Sequence, residues 1–315
     1  MKFILAGLTL LCAVATVSTA DDKLEIAVIP KGTTHLFWKS VEAGARKAGA
    51  ELNVNVIWRG PLKEDDRAQQ IGMVQQFIGS KVDAIVLAPL DATALVNPVR
   101  SAAANKIPVV IIDSGLRGES GRDFVSVVST DNRRGGELGG ERLAEVLGGR
   151  GKVVLLRYAE GSESTMEREE GFLAALKRFP DIEVTVSNRY GGATASSAQD
   201  AAMNLIDKVR EADGLFCPNE STTMGMLLAL RQNGLAGKKR FVGFDTSPPL
   251  LAALRKGEID GLVAQNPTRM GYLGVKSAVA AVRGEPVEAR IDTGCLVVTA
   301  DTIETPDVKA LLGGK

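Results

Sequence analysis

The chain has 315 residues, and its 38 basic and 38 acidic side chains leave no net formal charge, so no basic surface for nucleic acid is expected. Hydrophobic residues make up 45%, enough for a substantial core, whereas aromatic residues make up only 4% and histidine occurs once. A single histidine leaves little room for histidine-centred catalytic or zinc constellations.

Residues 1–20 read as an export leader: Lys2, an almost unbroken apolar run over 3–17, and the small residues Ser18-Thr19-Ala20 ahead of Asp21-Asp22. The run is too short to span a bilayer. Leu10 and Leu11, not small residues, precede Cys12, so a protein released into the periplasm is expected rather than a lipid-anchored one. Cleavage leaves Cys217 and Cys295, which can pair or stay free; Cys217 falls in an apolar strand, where a buried free thiol is equally reasonable.

From Leu24 the pattern alternates. Strands are expected at 24–29, 52–57, 83–88, 107–112 and 124–128, with helices at 37–49, 64–79 and 92–104. Pro98 makes the last helix start late or kink. After a pause at Ser129-Thr130-Asp131-Asn132 comes a glycine-spaced helix, 133–147. A second set follows, with strands at 152–156, 183–187, 214–217, 240–243 and 260–264 and helices at 165–178, 195–212, 221–233 and 248–256. A helix at 268–283, a strand pair near 289–299 and a short tail complete the chain.

This alternation predicts an α/β protein: two Rossmann-like parallel-sheet domains joined by a three-segment hinge, with a ligand cleft between them. The last helix has no obvious place on the second sheet. If it returns to the first, the chain crosses near 130, 265 and 292, giving a first domain of 21–130 plus 266–292 and a second of 131–265 plus 293–315.

The most informative stretch is 26–49. Its apolar strand ends at Pro30, and the loop Lys31-Gly32-Thr33-Thr34-His35 leads to Phe37 and Trp38. In open α/β sheets, ligands bind beyond the C-terminal strand ends. Two rings beside polar groups suit a polyhydroxylated ligand, although the same rings can also be core residues of a first helical turn. Other strands end in polar groups too: Asp113, Asn219 with Glu220, Asp245 and Gln265, with Arg168 in the helix after the strand at 152–156. Carboxylates, amides and guanidinium pair with vicinal hydroxyls.

An enzyme is not expected. Gly118-Glu119-Ser120-Gly121 lies in a polar loop, and neither a zinc motif nor a phosphate-binding glycine loop occurs. Asp65 and Asp66 read as charges at a helix N-terminus. No cofactor or metal is expected.

In order and spacing, Phe37-Trp38 with Gly44-Ala45, Pro89-Leu90-Asp91, Ile107-Pro108-Val109 leading to Asp113, Ser129-Thr130-Asp131-Asn132, Arg168-Glu169-Glu170-Gly171-Phe172, Asn219 with Gly225, and Val242-Gly243-Phe244-Asp245 resemble the periplasmic sugar-binding proteins of the ribose-binding type, the receptors of ABC importers. The resemblance covers 22–299. It implies a type I periplasmic-binding-protein fold closing on one sugar or polyol, a monomer that delivers its ligand to permease membrane subunits, and a pocket lined at Phe37, Trp38, Asp113, Arg168, Asn219, Asp245 and Gln265. Lys31 replaces the family's small hydroxyl residue, His35 its Asn, and Ser114 its Arg, while Ala193 stands where a second-domain ring is usual, with Tyr190 nearby. Lys31 and His35 complete the expected site. Three placements are open to Lys31: paired with Asp113, on a ligand oxygen, or in solvent. With Arg168 it balances Asp113 and Asp245, for a near-neutral pocket. Ile29-Pro30-Lys31 and Trp58-Arg59-Gly60-Pro61 resemble receptors for a furanone quorum signal, so uptake of such a signal, or service to a sensor kinase, are alternatives. A sugar-responsive transcription regulator shares the core, but a leader stands where its DNA-binding domain would lie.

Overall fold

The computed structural model describes residues 23–312; the leader expected at 1–20, with its cleavage point and Cys12, lies outside the described residues. Two six-stranded sheets carry the chain. The first takes β1 (Glu25–Ile29), β2 (Asn55–Trp58), β3 (Ala84–Leu87), β4 (Val109–Ile112), β5 (Ser126–Ser129) and β11 (Arg290–Asp292), in the order β11-β5-β4-β3-β1-β2, all parallel. The second takes β6 (Arg150–Arg157), β7 (Asp181–Tyr190), β8 (Gly214–Phe216), β9 (Arg240–Phe244), β10 (Gly261–Gln265) and β12 (Cys295–Val298), in the order β12-β10-β9-β8-β6-β7. Among the described residues only β12 runs antiparallel, against β10.

Both faces of each sheet are covered, which is why the central strands are apolar throughout. Ile26 and Val28 of β1 pack under α1 (Leu36–Leu52) and α10 (Pro267–Val282), whereas Ala27 and Ile29 meet α2 (Arg67–Gly79) and α3 (Val96–Ala104). In the second domain α4 (Asn132–Val146) and α5 (Glu163–Leu176) cover one face. The other lies under α6 (Ala195–Asn204), α7 (Ile206–Glu211), α8 (Glu220–Gln232) and α9 (Pro248–Arg255). The helix expected at 268–283, α10, lies on the first sheet. The chain passes between sheets after β5, after β10 and between β11 and β12, and these crossings are laced together. Thr130 Oγ1 donates to Gln265 Oε1 at 2.9 Å, the Thr293 amide to the Ser129 carbonyl at 3.0 Å, and the Asp131 amide to Asp292 Oδ1 at 3.2 Å.

Glycines bring helices together at corresponding places. A Cβ on Gly44 of α1 would lie 1.9 Å from the Thr268 carbonyl oxygen of α10, and one on Gly136 of α4 would lie 1.9 Å from the Arg168 carbonyl oxygen of α5. The small residues of α1 thus serve helix–helix contact as well as packing on the sheet.

Several expected boundaries differ. α1 runs to Leu52, so β2 starts later than expected; α2 begins at Arg67 rather than residue 64, and α3 begins late at Val96 with Pro98 in its first turn. The helix expected at 195–212 breaks at Leu205, whose ψ is 8°, and the tail contains α11 (Pro306–Leu311). The two strands expected near 289–299 fall on either side of residue 292: β11 joins β5 and β12 joins β10. Cys217 and Cys295 are both free thiols.

Candidate functional site

The loop after β1 is held by Gln70 of α2. Its amide donates to the Pro30 and Ala88 carbonyls at 3.1 and 2.8 Å and accepts from the Leu90 amide at 2.9 Å. This fixes the start of Lys31, which is buried, so solvent placement is ruled out. Its ammonium lies 2.8 Å from Asp113 Oδ2 and donates to Ser164 Oγ at 3.0 Å and Ser162 Oγ at 3.4 Å. An ammonium has three hydrogens. The structure gives all three an oxygen, two of them on serines at the start of α5, across the cleft.

Phe37 and Trp38 occupy the first turn of α1, edge to face with centroids 5.0 Å apart. The two readings of this pair are compatible: Trp38 is a buried core residue and also lines the cleft, as does the half-buried Phe37. The α1 N-terminus has no side-chain cap of its own, because His35 at the N-cap makes no capping bond. Instead Glu220 Oε2, at the start of α8, accepts from the Phe37 amide at 3.1 Å. A carboxylate is favoured there by the unsatisfied N–H groups and the helix dipole.

From the second domain, Arg168 of α5 donates from Nε to Asn132 Oδ1 (2.8 Å) and through its two other nitrogens to the Pro218 carbonyl (3.0 Å) and Gln265 Oε1 (2.8 Å). Its guanidinium carbon also lies 4.1 Å from the Phe244 ring centroid. Gln265 in turn donates to Asp245 Oδ1 at 2.7 Å, and Asp245 Oδ2 accepts the Glu220 amide at 2.8 Å. Asn219 is the N-cap of α8, its oxygen accepting the Thr222 amide at 3.2 Å.

All nine expected residues line one cleft: Lys31, His35, Phe37, Trp38, Asp113, Arg168, Asn219, Asp245 and Gln265. Glu64, Ser164, Thr165 and Glu220 line it as well and were not among the expected site residues. Glu64 precedes α2, and its carboxylate accepts from Trp38 Nε1 (2.6 Å), the Tyr158 hydroxyl (2.7 Å) and His35 Nδ1 (2.7 Å). Tyr158 is buried and Tyr190 is exposed, and Ala193 contributes its carbonyl, 3.1 Å from His35 Nε2.

The near-neutral expectation changes accordingly. Three cationic side chains, Lys31, His35 and Arg168, face four carboxyl groups, Glu64, Asp113, Glu220 and Asp245. Burial lowers the His35 pKa, but Glu64 and Glu220 outweigh it and raise it to about 9. Burial raises that of Glu64, but His35, Lys31 and the Trp38 indole bring it down to about 2. Burial also pushes Glu220 up, helped by Asp245, and pushes Asp245 up against the opposing pull of Arg168 and the Gln265 amide. The cleft is narrow, with a cavity of about 30 Å3, room for about two waters.

Comparison with known proteins places this geometry in context. A family model for a periplasmic binding protein domain matches residues 26–286. The ribose import binding protein of Haemophilus influenzae is 27% identical over 288 residues, which cover 91% of this chain and 94% of that protein. A periplasmic component of an ABC-type sugar transport system from Hahella chejuensis is 36% identical with a TM-score of 0.84, covering 87% of this chain and 99% of that one. A carbohydrate transporter solute-binding protein from Agrobacterium radiobacter, solved with D-arabinose, is 35% identical with a TM-score of 0.88, covering 93% and 99%.

Proposed function

Since the chain belongs to the periplasmic binding protein family, we propose that it is the solute receptor of an ABC importer and that its interdomain cleft binds an uncharged monosaccharide or polyol for delivery to a membrane permease. The observation that carries this reading is the convergence of Phe37, Trp38 and Asp113 from one sheet with Arg168, Asp245 and Gln265 from the other on a single cleft. Trp38 and Phe37 offer apolar faces to sugar C–H groups. Asp113 has one carboxylate oxygen left beside the Lys31 pair, and Arg168 has five N–H groups, three of them bound among the described residues. A vicinal diol matches that pairing of acceptor and donors, each charge-assisted bond contributing roughly 1.5–3 kcal/mol. The excess of carboxyl groups disfavours sugar acids. The protein solved with D-arabinose, and a solute-binding protein from Agrobacterium vitis solved with D-fucose, favour a sugar over a furanone.

The first domain comprises 21–130 plus 266–292 and the second 131–265 plus 293–315, hinged where the chain crosses. A sugar ring needs more space than the described cleft holds, so entry requires the domains to part and binding draws them together. The protein works in the periplasm as a monomer after loss of residues 1–20, and its role is binding rather than catalysis.

A thermal-shift screen of uncharged pentoses, hexoses and polyols against the matching sugar acids tests the reading. A true ligand at a thousand times its dissociation constant adds about 4 kcal/mol of stability. Stabilisation by sugar acids alone would overturn the uncharged-ligand reading.

A further inference from the structure

We infer that Glu64 and His35 form a charged clasp that positions Trp38 and takes hold of the second domain as the cleft closes, so that closure depends on a doubly protonated imidazole. The inference rests on the proposed cleft for its sugar-dependent part; the ion pair itself lies within the first domain.

His35 Nδ1 lies 2.7 Å from a Glu64 carboxylate oxygen, and Nε2 lies 3.1 Å from the Ala193 carbonyl oxygen. A carbonyl oxygen can only accept, so Nε2 must carry a hydrogen. The Glu64 carboxylate also accepts from an indole, which can only donate, and from the Tyr158 hydroxyl. With both ring nitrogens facing acceptors, the imidazole satisfies them together only as the imidazolium. A neutral ring would either point a lone pair at the Ala193 carbonyl or withhold its hydrogen from Glu64.

The two residues connect both sides of the cleft. Glu64 and His35 belong to loops of the first domain, whereas Tyr158 follows β6 and Ala193 follows β7 in the second. Closing the cleft therefore forms two bonds to this pair, Tyr158 to Glu64 and His35 to Ala193. Within the first domain the same carboxylate fixes the Trp38 indole by a 2.6 Å bond and so sets the angle of the ring that faces the ligand. Glu64 and His35 act through Trp38 and the domain contact; they are positioning residues.

The charged surroundings agree. The Glu220 carboxyl group at the start of α8 and Glu64 both favour the imidazolium, and Lys31 stands near Glu64 and helps keep it ionised. The Tyr158 phenol, held well above its ordinary pKa by burial, Glu64, Asp113 and Asp65, keeps the hydrogen it donates. Opening the cleft removes Ala193 and Glu220 from His35 and also relieves part of the burial that opposes its charge, while leaving Glu64 in place; in the clasp the two contacts outweigh that burial. The closed form accordingly binds its proton more tightly than the open form, and sugar affinity should fall as pH rises towards 9.

Because His35 is the sole histidine, a spectrum of protein labelled only at histidine contains one titrating ring in the described chain. In the sugar-free protein its midpoint should lie above the ordinary value of about 6.5 and fall back in Glu64→Gln. With saturating D-arabinose, or D-fucose if that sugar gives the larger thermal shift, it should move up to about 9. Affinity for that sugar should decline between pH 7 and 9, by at most about tenfold per pH unit, and the decline should disappear in His35→Gln. Tyr158→Phe, which removes one bond across the cleft and keeps the ring, should weaken binding about fivefold or more. A sugar-free midpoint near the ordinary value, one unmoved by Glu64→Gln, or a pH slope retained in His35→Gln would overturn the clasp. If neither sugar nor any uncharged relative binds, the cleft reading fails, and the sugar-free titration still decides the Glu64–His35 pair.

Discussion

Asp113 and Asp245 end corresponding strands of the two sheets, β4 and β9, and share one backbone conformation, with φ of 65° and 70°. Each donates its amide to a neighbouring strand, Asp113 to the Val128 carbonyl at 3.1 Å and Asp245 to that of Val263 at 2.9 Å. The left-handed region is tolerated by aspartate better than by most residues. Here it turns the chain sharply at the strand end and leaves a buried carboxylate at the cleft in each domain.

This geometry separates two roles of Asp245. Asp245→Ala and Asp245→Gly both remove the carboxylate that binds Gln265 and the Glu220 amide, and each should weaken sugar binding at least about tenfold by calorimetry, at the low end of the range for losing one partner of a buried charged bond. Glycine accepts the positive φ and alanine does not, so Asp245→Gly should be more stable than Asp245→Ala by about 1 kcal/mol in thermal denaturation. Equal stability would mean that the backbone relaxes out of the left-handed region.

Lys31→Met keeps the aliphatic stem and removes the charge. Asp113 would then be a buried carboxylate without its cation, and Ser162 and Ser164 would lose their link across the cleft. Breaking a buried ion pair on one side typically costs about 3–5 kcal/mol. We expect a lower unfolding midpoint and at least about tenfold weaker sugar binding, one factor of ten corresponding to about 1.4 kcal/mol. Wild-type affinity and stability in this variant would show that the pair contributes little.

Most of the fold and much of the cleft were legible in the sequence, for physical reasons that also explain the misses. Runs such as Val109–Ile112 are apolar on both faces because helices cover both, and Asp113, Asp245 and Gln265 stood out as polar groups directly after such runs. Glu64 did not, because the helix was expected to start at residue 64 and an acidic residue there reads as a favourable N-terminal charge. The helix starts at Arg67, capped by Asp66, and Glu64 turns into the cleft. Bonds such as Lys31 to Ser164 join residues 133 apart, and no local pattern encodes them. Which strands β11 and β12 join was hidden for the same reason, although the crossing expected near 292 already assigned them to different domains.

Gly136 offers a test of how the scaffold places Arg168. An added methyl group would meet the Arg168 carbonyl and push α5 away from α4. Gly136→Ala should destabilise the protein by roughly 1–3 kcal/mol, the usual cost of overpacking, and also weaken sugar binding. Gly72 in α2 has nothing within 4 Å of an added Cβ, so Gly72→Ala should be neutral to stabilising by up to about 1 kcal/mol. Unchanged binding in Gly136→Ala would mean that Arg168 can move independently of its helix.

The Glu64–His35 pair also predicts how stability depends on pH. The His35 pKa is raised from 6.5 to about 9, so its contribution is complete below pH 6.5 and is lost as pH rises to about 9. That of Glu64 is lowered from 4.5 to about 2, so its contribution is complete above pH 4.5 and is lost as pH falls towards 2. Together they favour a stability plateau between pH 4.5 and 6.5. Denaturation midpoints measured across pH should show an alkaline decline in the wild type that is shallower in His35→Gln; identical alkaline limbs would contradict the assignment.

The cleft lined by Trp38, Arg168 and Asp245 is proposed to bind an uncharged sugar or polyol. Calorimetric titration of the wild-type protein with D-arabinose, D-fucose, D-ribose, D-allose and xylitol, alongside the corresponding sugar acids, tests it most directly. One saturable site is expected for at least one uncharged ligand, with its heat abolished or its affinity cut at least about tenfold in Asp245→Ala. No binding by any uncharged ligand, or binding that Asp245→Ala leaves intact, would contradict it.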